Sequence, residues 1–127
     1  MVLNQAAGGL NPAAVAAALS MGAAEIWMPT LSAAHNLSVK GGDREKGIHI
    51  LEKGNLRPEL YEIFSLIAEK DAVLGTGHLS VEEIPVLVRE AKRHRVKKIM
   101  ITHPDSPTSG IPVDVQIALR RMGVLFE

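Results

Sequence analysis

The chain contains no cysteine, which removes disulfides, thiolate metal sites and a cysteine nucleophile in one step. Net charge is missing too: fourteen Lys and Arg balance fourteen Asp and Glu. No whole-protein field therefore recruits nucleic acid or an anionic membrane. The single basic run, Lys92-Arg93-His94-Arg95 with Lys97-Lys98, falls at the end of a helix pattern. There cations complement the free carbonyls and the helix dipole. Met1-Val2-Leu3-Asn4-Gln5 carries no basic leader, and charges or glycines interrupt every apolar stretch before it reaches about 18 residues. These absences point to a cytoplasmic protein with neither membrane nor nucleic acid among its partners. What is present, 127 residues at 46% hydrophobic and 22% charged, has the make-up of one globular domain.

The apolar pattern alternates between strand and helix. Met1-Val2-Leu3 reads as a first strand. Asn11 and Pro12 then supply an N-cap and a first helical residue, and the alanine-rich helix runs to Met21 with Gly22 as its stop. Glu25-Ile26-Trp27-Met28-Pro29-Thr30 is a strand closed by proline. Leu31 to Arg57 reads as a long irregular stretch, broken by one small hairpin over Gly47-Ile48-His49-Ile50-Leu51 and the Lys53-Gly54-Asn55 turn. A loop of that length after a strand is expected to act as a flap over the sheet edge.

Pro58 opens a helix with Leu60, Ile63, Phe64 and Ile67 at helical spacing. Ser80 and Glu83 form a capping box ahead of Ile84, Leu87, Val88 and Ala91. Pro85 predicts a kink or a tightened first turn in that helix. Pro112 opens another helix whose inner face is Val115, Ala118, Leu119 and Met122, and Val124-Leu125-Phe126 begins a further strand. The fold class is α/β, a parallel sheet of alternating strands and helices.

Two segments end alike. Ala72-Val73-Leu74-Gly75-Thr76-Gly77-His78 and Lys98-Ile99-Met100-Ile101-Thr102-His103 are apolar runs finishing in threonine and histidine, with a helix between them. A right-handed crossover lays such strands parallel and brings both histidines to the carboxyl edge, where α/β sheets and barrels place their chemistry. Two imidazoles there are candidate ligands for a divalent metal, zinc first. His35, at the mouth of a strand, is a weaker candidate. Asp105 is placed to orient His103 from behind, and Thr76 and Thr102 shape the strand ends. His49 and His94 read as solvent-facing, and Trp27 as packing.

A full (β/α)8 barrel takes roughly 250 residues, so about five strands would make this chain part of an incomplete TIM-type barrel. Val2-Leu3-Asn4, Gly8-Gly9-Leu10-Asn11-Pro12, Ile26-Trp27-Met28-Pro29-Thr30, Thr76-Gly77-His78-Leu79-Ser80 and Thr102-His103-Pro104 follow one another in order. Together they resemble an uncharacterised family of cytosolic proteins that looks like a branch of the metal-dependent amidohydrolase superfamily. The resemblance implies that His78 and His103 are metal ligands at the ends of the fifth and sixth barrel strands, and that the metal activates water for hydrolysis of a small-molecule substrate. The family's first-strand Asp-x-His-x-His and its last-strand aspartate are absent. The resemblance thus implies strands three to seven of a larger hydrolase barrel, inactive alone, with a homo-oligomer or the missing strands covering the sheet edges.

Two readings compete with this one. Gly75-Thr76-Gly77 and Ser106-Pro107-Thr108-Ser109-Gly110, each ahead of a helix, could present amides to a phosphate or nucleotide without metal, although neither has the Walker spacing. The chain could also be a non-catalytic fragment.

Overall fold

The computed structural model describes residues 1–127 throughout. In chain order, α1 spans Pro12–Ser20, β1 Glu25–Trp27, α2 Ala34–Val39, β2 Leu51–Glu52 and β3 Asn55–Leu56. Then follow α3 at Glu59–Glu69, β4 at Val73–Gly75, α4 at Glu83–Arg93, β5 at Lys98–Ile101, α5 at Val113–Arg121 and β6 at Leu125–Phe126. Strands β1, β4, β5 and β6 form a four-stranded parallel sheet in that spatial order, and β2 and β3 pair as a separate antiparallel hairpin. The fold is α/β, a parallel sheet flanked by helices.

Met1-Val2-Leu3 does not add a full fifth strand. It touches the sheet through a parallel bridge between Val2 and Trp27, because the ladder stops at Asn4. The side-chain oxygen of Asn4 accepts from the amides of Thr30 and Ser32 at 2.9 and 3.0 Å, and its amide nitrogen donates to Thr30 Oγ1 at 2.9 Å. A side chain thus takes over where backbone pairing ends.

Alternation along the strands separates two faces. Ile26, Leu74, Ile99 and Ile101 are buried, and they join one apolar cluster with Leu60, Ile63, Phe64 and Ile67 of α3 and Ile84, Leu87, Val88 and Ala91 of α4. Glu25, Trp27, Val73 and Met100 lie on the opposite face and are only half-buried. Each crossover steps to the next strand in the same direction, so right-handed connections carry the intervening helices to one face.

Helix ends follow their local chemistry. Asn11 Oδ1 accepts from the amides of Ala13 and Ala14 at 3.0 and 3.3 Å, with Pro12 in the first turn, where its missing N–H costs nothing. Ser80 and Glu83 close a reciprocal box: the Ser80 amide donates to Glu83 Oε2 at 2.8 Å and the Glu83 amide to Ser80 Oγ at 3.3 Å. The turn leading into Pro85 is tightened: the Glu83 amide donates to the Ser80 carbonyl, three residues back, at 3.1 Å. The helix begins at Glu83, so Pro85 falls among the first-turn residues whose amides have no intrahelical partner.

Three expectations need correction. Leu31 to Arg57 is not irregular: it contains α2, a 3-10 turn at Arg44–Lys46 and the β2–β3 hairpin. The hairpin is shorter than its apolar pattern suggests, since Ile48 bridges Ala33 in parallel instead of extending it. Of the expected inner face of α5, only Leu119 is buried and Ala118 is exposed, because this helix leads to the last strand in the row. No helix is long and apolar enough to cross a membrane.

Candidate functional site

The site is built where β4 and β5 end. The hydroxyls of Thr76 and Thr102, both fully buried, cross-link the two strand exits. Thr76 Oγ1 accepts from the Thr102 amide at 3.0 Å, and Thr102 Oγ1 accepts from the Gly77 amide at 3.1 Å. Gly77 is in the left-handed region at φ +60°, where a Cβ would approach the carbonyl oxygens of Met28 and Pro29 to 2.5 Å. Glycine alone lets the chain turn this tightly against the exit of β1. The turn delivers His78.

His103 reaches the same edge through a strained backbone. Its φ is +45°, a region that costs an L-residue free energy. The imidazoles of His78 and His103 lie with centroids 6.0 Å apart and planes inclined by 51°. Trp27 meets His103 edge to face at 6.1 Å. Gly75 makes room for that indole, since a Cβ there would come within 2.7 Å of Trp27 Cδ1.

The two rings are held differently. His78 is half-buried, and its Nδ1 lies 3.1 Å from Asn36 Oδ1. Burial holds its pKa below the ordinary imidazole value, and the positive charges of His103, Lys40 and His35 push in the same direction. His103 Nδ1 lies 3.5 Å from Glu127 Oε2, with both side chains partly exposed. From the segment expected to act as a flap, α2 reaches this edge: Asn36 meets His78, and His35 Nε2 donates to the Thr108 carbonyl at 2.9 Å.

The sequence model of a family described as a family of unknown function (DUF6282) matches residues 1–127. The chain belongs to that family. No curated protein matches it, and no solved structure does. None of these findings bears on the resemblance to amidohydrolases.

For this member of the DUF6282 family, the expected metal centre is contradicted by the donor set. Nowhere do three His, Asp or Glu side chains converge in a way that could hold a metal ion, whereas catalytic zinc sites use three protein ligands. His78 and His103 stand as a pair, and His35 is turned to a backbone carbonyl. This overturns zinc as cofactor and, with it, the metal-dependent, amidohydrolase-type hydrolysis. Asp105 does not orient His103 either; its Oδ1 accepts from Gln116 Nε2 at 3.0 Å. Proline and serine around Asp105 gave no hint that the neighbour of His103 would be Glu127, which lies 24 positions away and meets it only through the β5–β6 pairing.

A phosphate cradle is not formed by the two loops. The Thr76 amide donates to the Met100 carbonyl and that of Gly77 to Thr102 Oγ1. The amides of Ser106, Ser109 and Gly110 donate to His103 O, Ser106 Oγ and Ser106 O. The capping box of Ser80 and Glu83 occupies the start of α4. His49 and His94 are half-buried rather than solvent-facing; His94 packs on Tyr61 and Phe64 with centroids at 5.2 and 6.0 Å. Asn36, which sequence reading passed over, is 1% exposed and is the group that fixes His78.

Proposed function

We propose that the carboxyl edge of the sheet is a proton-transfer site for a small molecule, with His78 and His103 as its acting groups and no metal involved. The observation that carries this reading is the pair itself: two imidazoles from matching strand exits with centroids 6.0 Å apart, His78 held through Nδ1 by Asn36 and His103 with Glu127 beside its Nδ1. Rings with centroids that close border one space on the edge, so a single small molecule lying there can meet both. His78, kept neutral at pH 7 by its lowered pKa, acts as the base. His103, with Glu127 beside it, supplies the proton. The strain at His103 and the contacts of α2 with this edge support the same placement.

The sheet itself is read as a sector of a (β/α)8-type barrel. Its strands follow in sequential order, β1-β4-β5-β6, with no reversal, whereas a doubly wound sheet reverses at a switch point. The half-buried face bearing Trp27, Val73 and Met100 would then be the barrel interior.

Turnover of p-nitrophenyl acetate, an activated ester that reports accessible imidazole bases, tests the function. His78→Ala and His103→Ala are each expected to lower the rate at least about 10-fold, in keeping with general acid–base contributions, while His49→Ala and His94→Ala leave it unchanged. Equal rates in His78→Ala and the unaltered protein would overturn the reading.

A further inference from the structure

We infer that Asn36 is the positioning residue that sets the tautomer of His78, holding its proton on Nδ1 and leaving Nε2 as the base. This rests on the proton-transfer reading for its purpose, but its geometry is independent of it. The chain of hydrogen bonds begins in the backbone. The carbonyl of Leu31 can only accept, and Asn36 Nδ2 donates to it at 3.1 Å. That bond fixes which way the amide faces. Asn36 Oδ1 is therefore the atom presented to His78 Nδ1, 3.1 Å away. An amide oxygen can only accept, so Nδ1 must carry the hydrogen. In the neutral ring, the lone pair then belongs to Nε2.

The arrangement is well protected. Asn36 is 1% exposed and sits in α2, whose preceding residue, His35, donates to the Thr108 carbonyl in the loop after β5. One short helix thus reads both loops that flank the site. The local numbering explains the economy: His35 and Asn36 point to different neighbours because successive helical residues are turned by about 100°. Protonation of His78 at Nε2 leaves the bond to Asn36 intact, so the ring can cycle between neutral and charged forms without losing its orientation. The charged groups facing it from the packed elements are His103 from the exit of β5, and His35 and Lys40 from α2 and its end. All are cationic or can become so, and the hydrogen bond that the His78 ring makes is the one to Asn36.

The test is the nitrogen chemical shifts of His78 in uniformly 15N-labelled protein, read through long-range proton–nitrogen correlations above the imidazole titration. The unaltered chain is expected to show a protonated, pyrrole-type Nδ1 and a bare, pyridine-type Nε2. Asn36→Ala should shift His78 toward Nε2–H, the form preferred by free imidazole side chains, and lower p-nitrophenyl acetate turnover by about 10-fold, in the direction seen when a catalytic histidine takes the wrong tautomer. Asn36→Asp keeps an acceptor and should preserve Nδ1–H while raising the pKa of His78. A pyridine-type Nδ1 in the unaltered protein overturns the inference without any variant having to fold. An Asn36→Ala protein that keeps the native nitrogen shifts overturns it too. If the shifts come out as expected while His78→Ala retains full turnover, the assignment of Asn36 stands and the proton-transfer reading alone fails.

Discussion

Thr76 and Thr102 hold each other's strand exits: the hydroxyl of Thr76 accepts from the amide of Thr102, and the hydroxyl of Thr102 accepts from the amide that follows Thr76. Both side chains are fully buried, so neither amide has water to turn to. The pair replaces ladder hydrogen bonds just where β4 and β5 diverge. The spacing of the histidines beyond the strand ends, His78 two residues after Thr76 and His103 directly after Thr102, passes through these two hydroxyls.

Thr102→Val conserves shape but removes the acceptor for Gly77, and Thr76→Val does the same to Thr102. Each is expected to cost about 1–3 kcal/mol, the penalty for a buried donor left without a partner. Serine at either position keeps the hydroxyl and should lose less. Urea unfolding monitored by circular dichroism gives the comparison. A valine variant as stable as its serine counterpart would show that the hydroxyl bonds are not what joins the strands.

Gly77→Ala should be far more damaging than Gly54→Ala. Both glycines have positive φ, +60° and +81°, but a Cβ at Gly54 meets nothing within 4 Å. Only the backbone term, about 1 kcal/mol, operates there. At Gly77 the added carbon would also crowd two carbonyl oxygens at the exit of β1, and the total is expected to exceed about 2 kcal/mol. Thermal unfolding of the two variants side by side decides it; equal losses would mean that β1 yields easily.

Helix α3 was legible because four apolar residues at regular spacing all had to be buried, and they are. The capping box at Ser80 and Glu83 was legible because both partners lie within one turn. Strand ends carrying Thr-His were readable as a device, and the parallel pairing of β4 with β5 places them side by side. Helix α2 was not readable: six residues make fewer than two turns, too few for a period to show. The groups beside the histidines' Nδ1 atoms, Asn36 and Glu127, lie 42 and 24 positions from them. Nothing local marks such contacts. The metal expectation failed on the same ground, since a donor count depends on which distant side chains converge.

Stability should fall on mild acidification, and His78 should be one cause. Burial and the neighbouring cations lower its pKa in the folded chain below the ordinary value of 6.5. Between the two values, the unfolded chain binds more protons than the folded one, so stability rises with pH across that window. The contribution is intact above about pH 6.5, declines as the pH drops toward the folded pKa, and levels off below it. Asp71 acts in the same direction at lower pH. Its hydrogen bond and charge contact with Lys98 lower its pKa, so that contribution is lost as the carboxylate protonates. Urea midpoints between pH 7.5 and 5 should converge for the unaltered protein and His78→Gln as the pH falls. Parallel curves would remove His78 from the explanation.

His103 should be a residue whose backbone costs stability. At φ +45° a Cβ crowds its own carbonyl, a penalty of about 1–2 kcal/mol for any residue but glycine. Comparing His103→Gly with His103→Ala isolates that penalty, because both remove the same imidazole and its contacts with Trp27 and Glu127. In an ordinary strand, glycine would be the less stable of the two by roughly 0.5–1 kcal/mol, through its greater freedom when unfolded. Here the order should invert, with His103→Gly the more stable by about 1 kcal/mol. Turnover of p-nitrophenyl acetate should fall equally in both, since neither retains the ring. A strained histidine whose side chain is partly exposed and whose loss lowers turnover is a position held for its chemistry, not its packing. If alanine proves at least as stable as glycine, the strain is not real, and that argument for placing His103 in the site is lost.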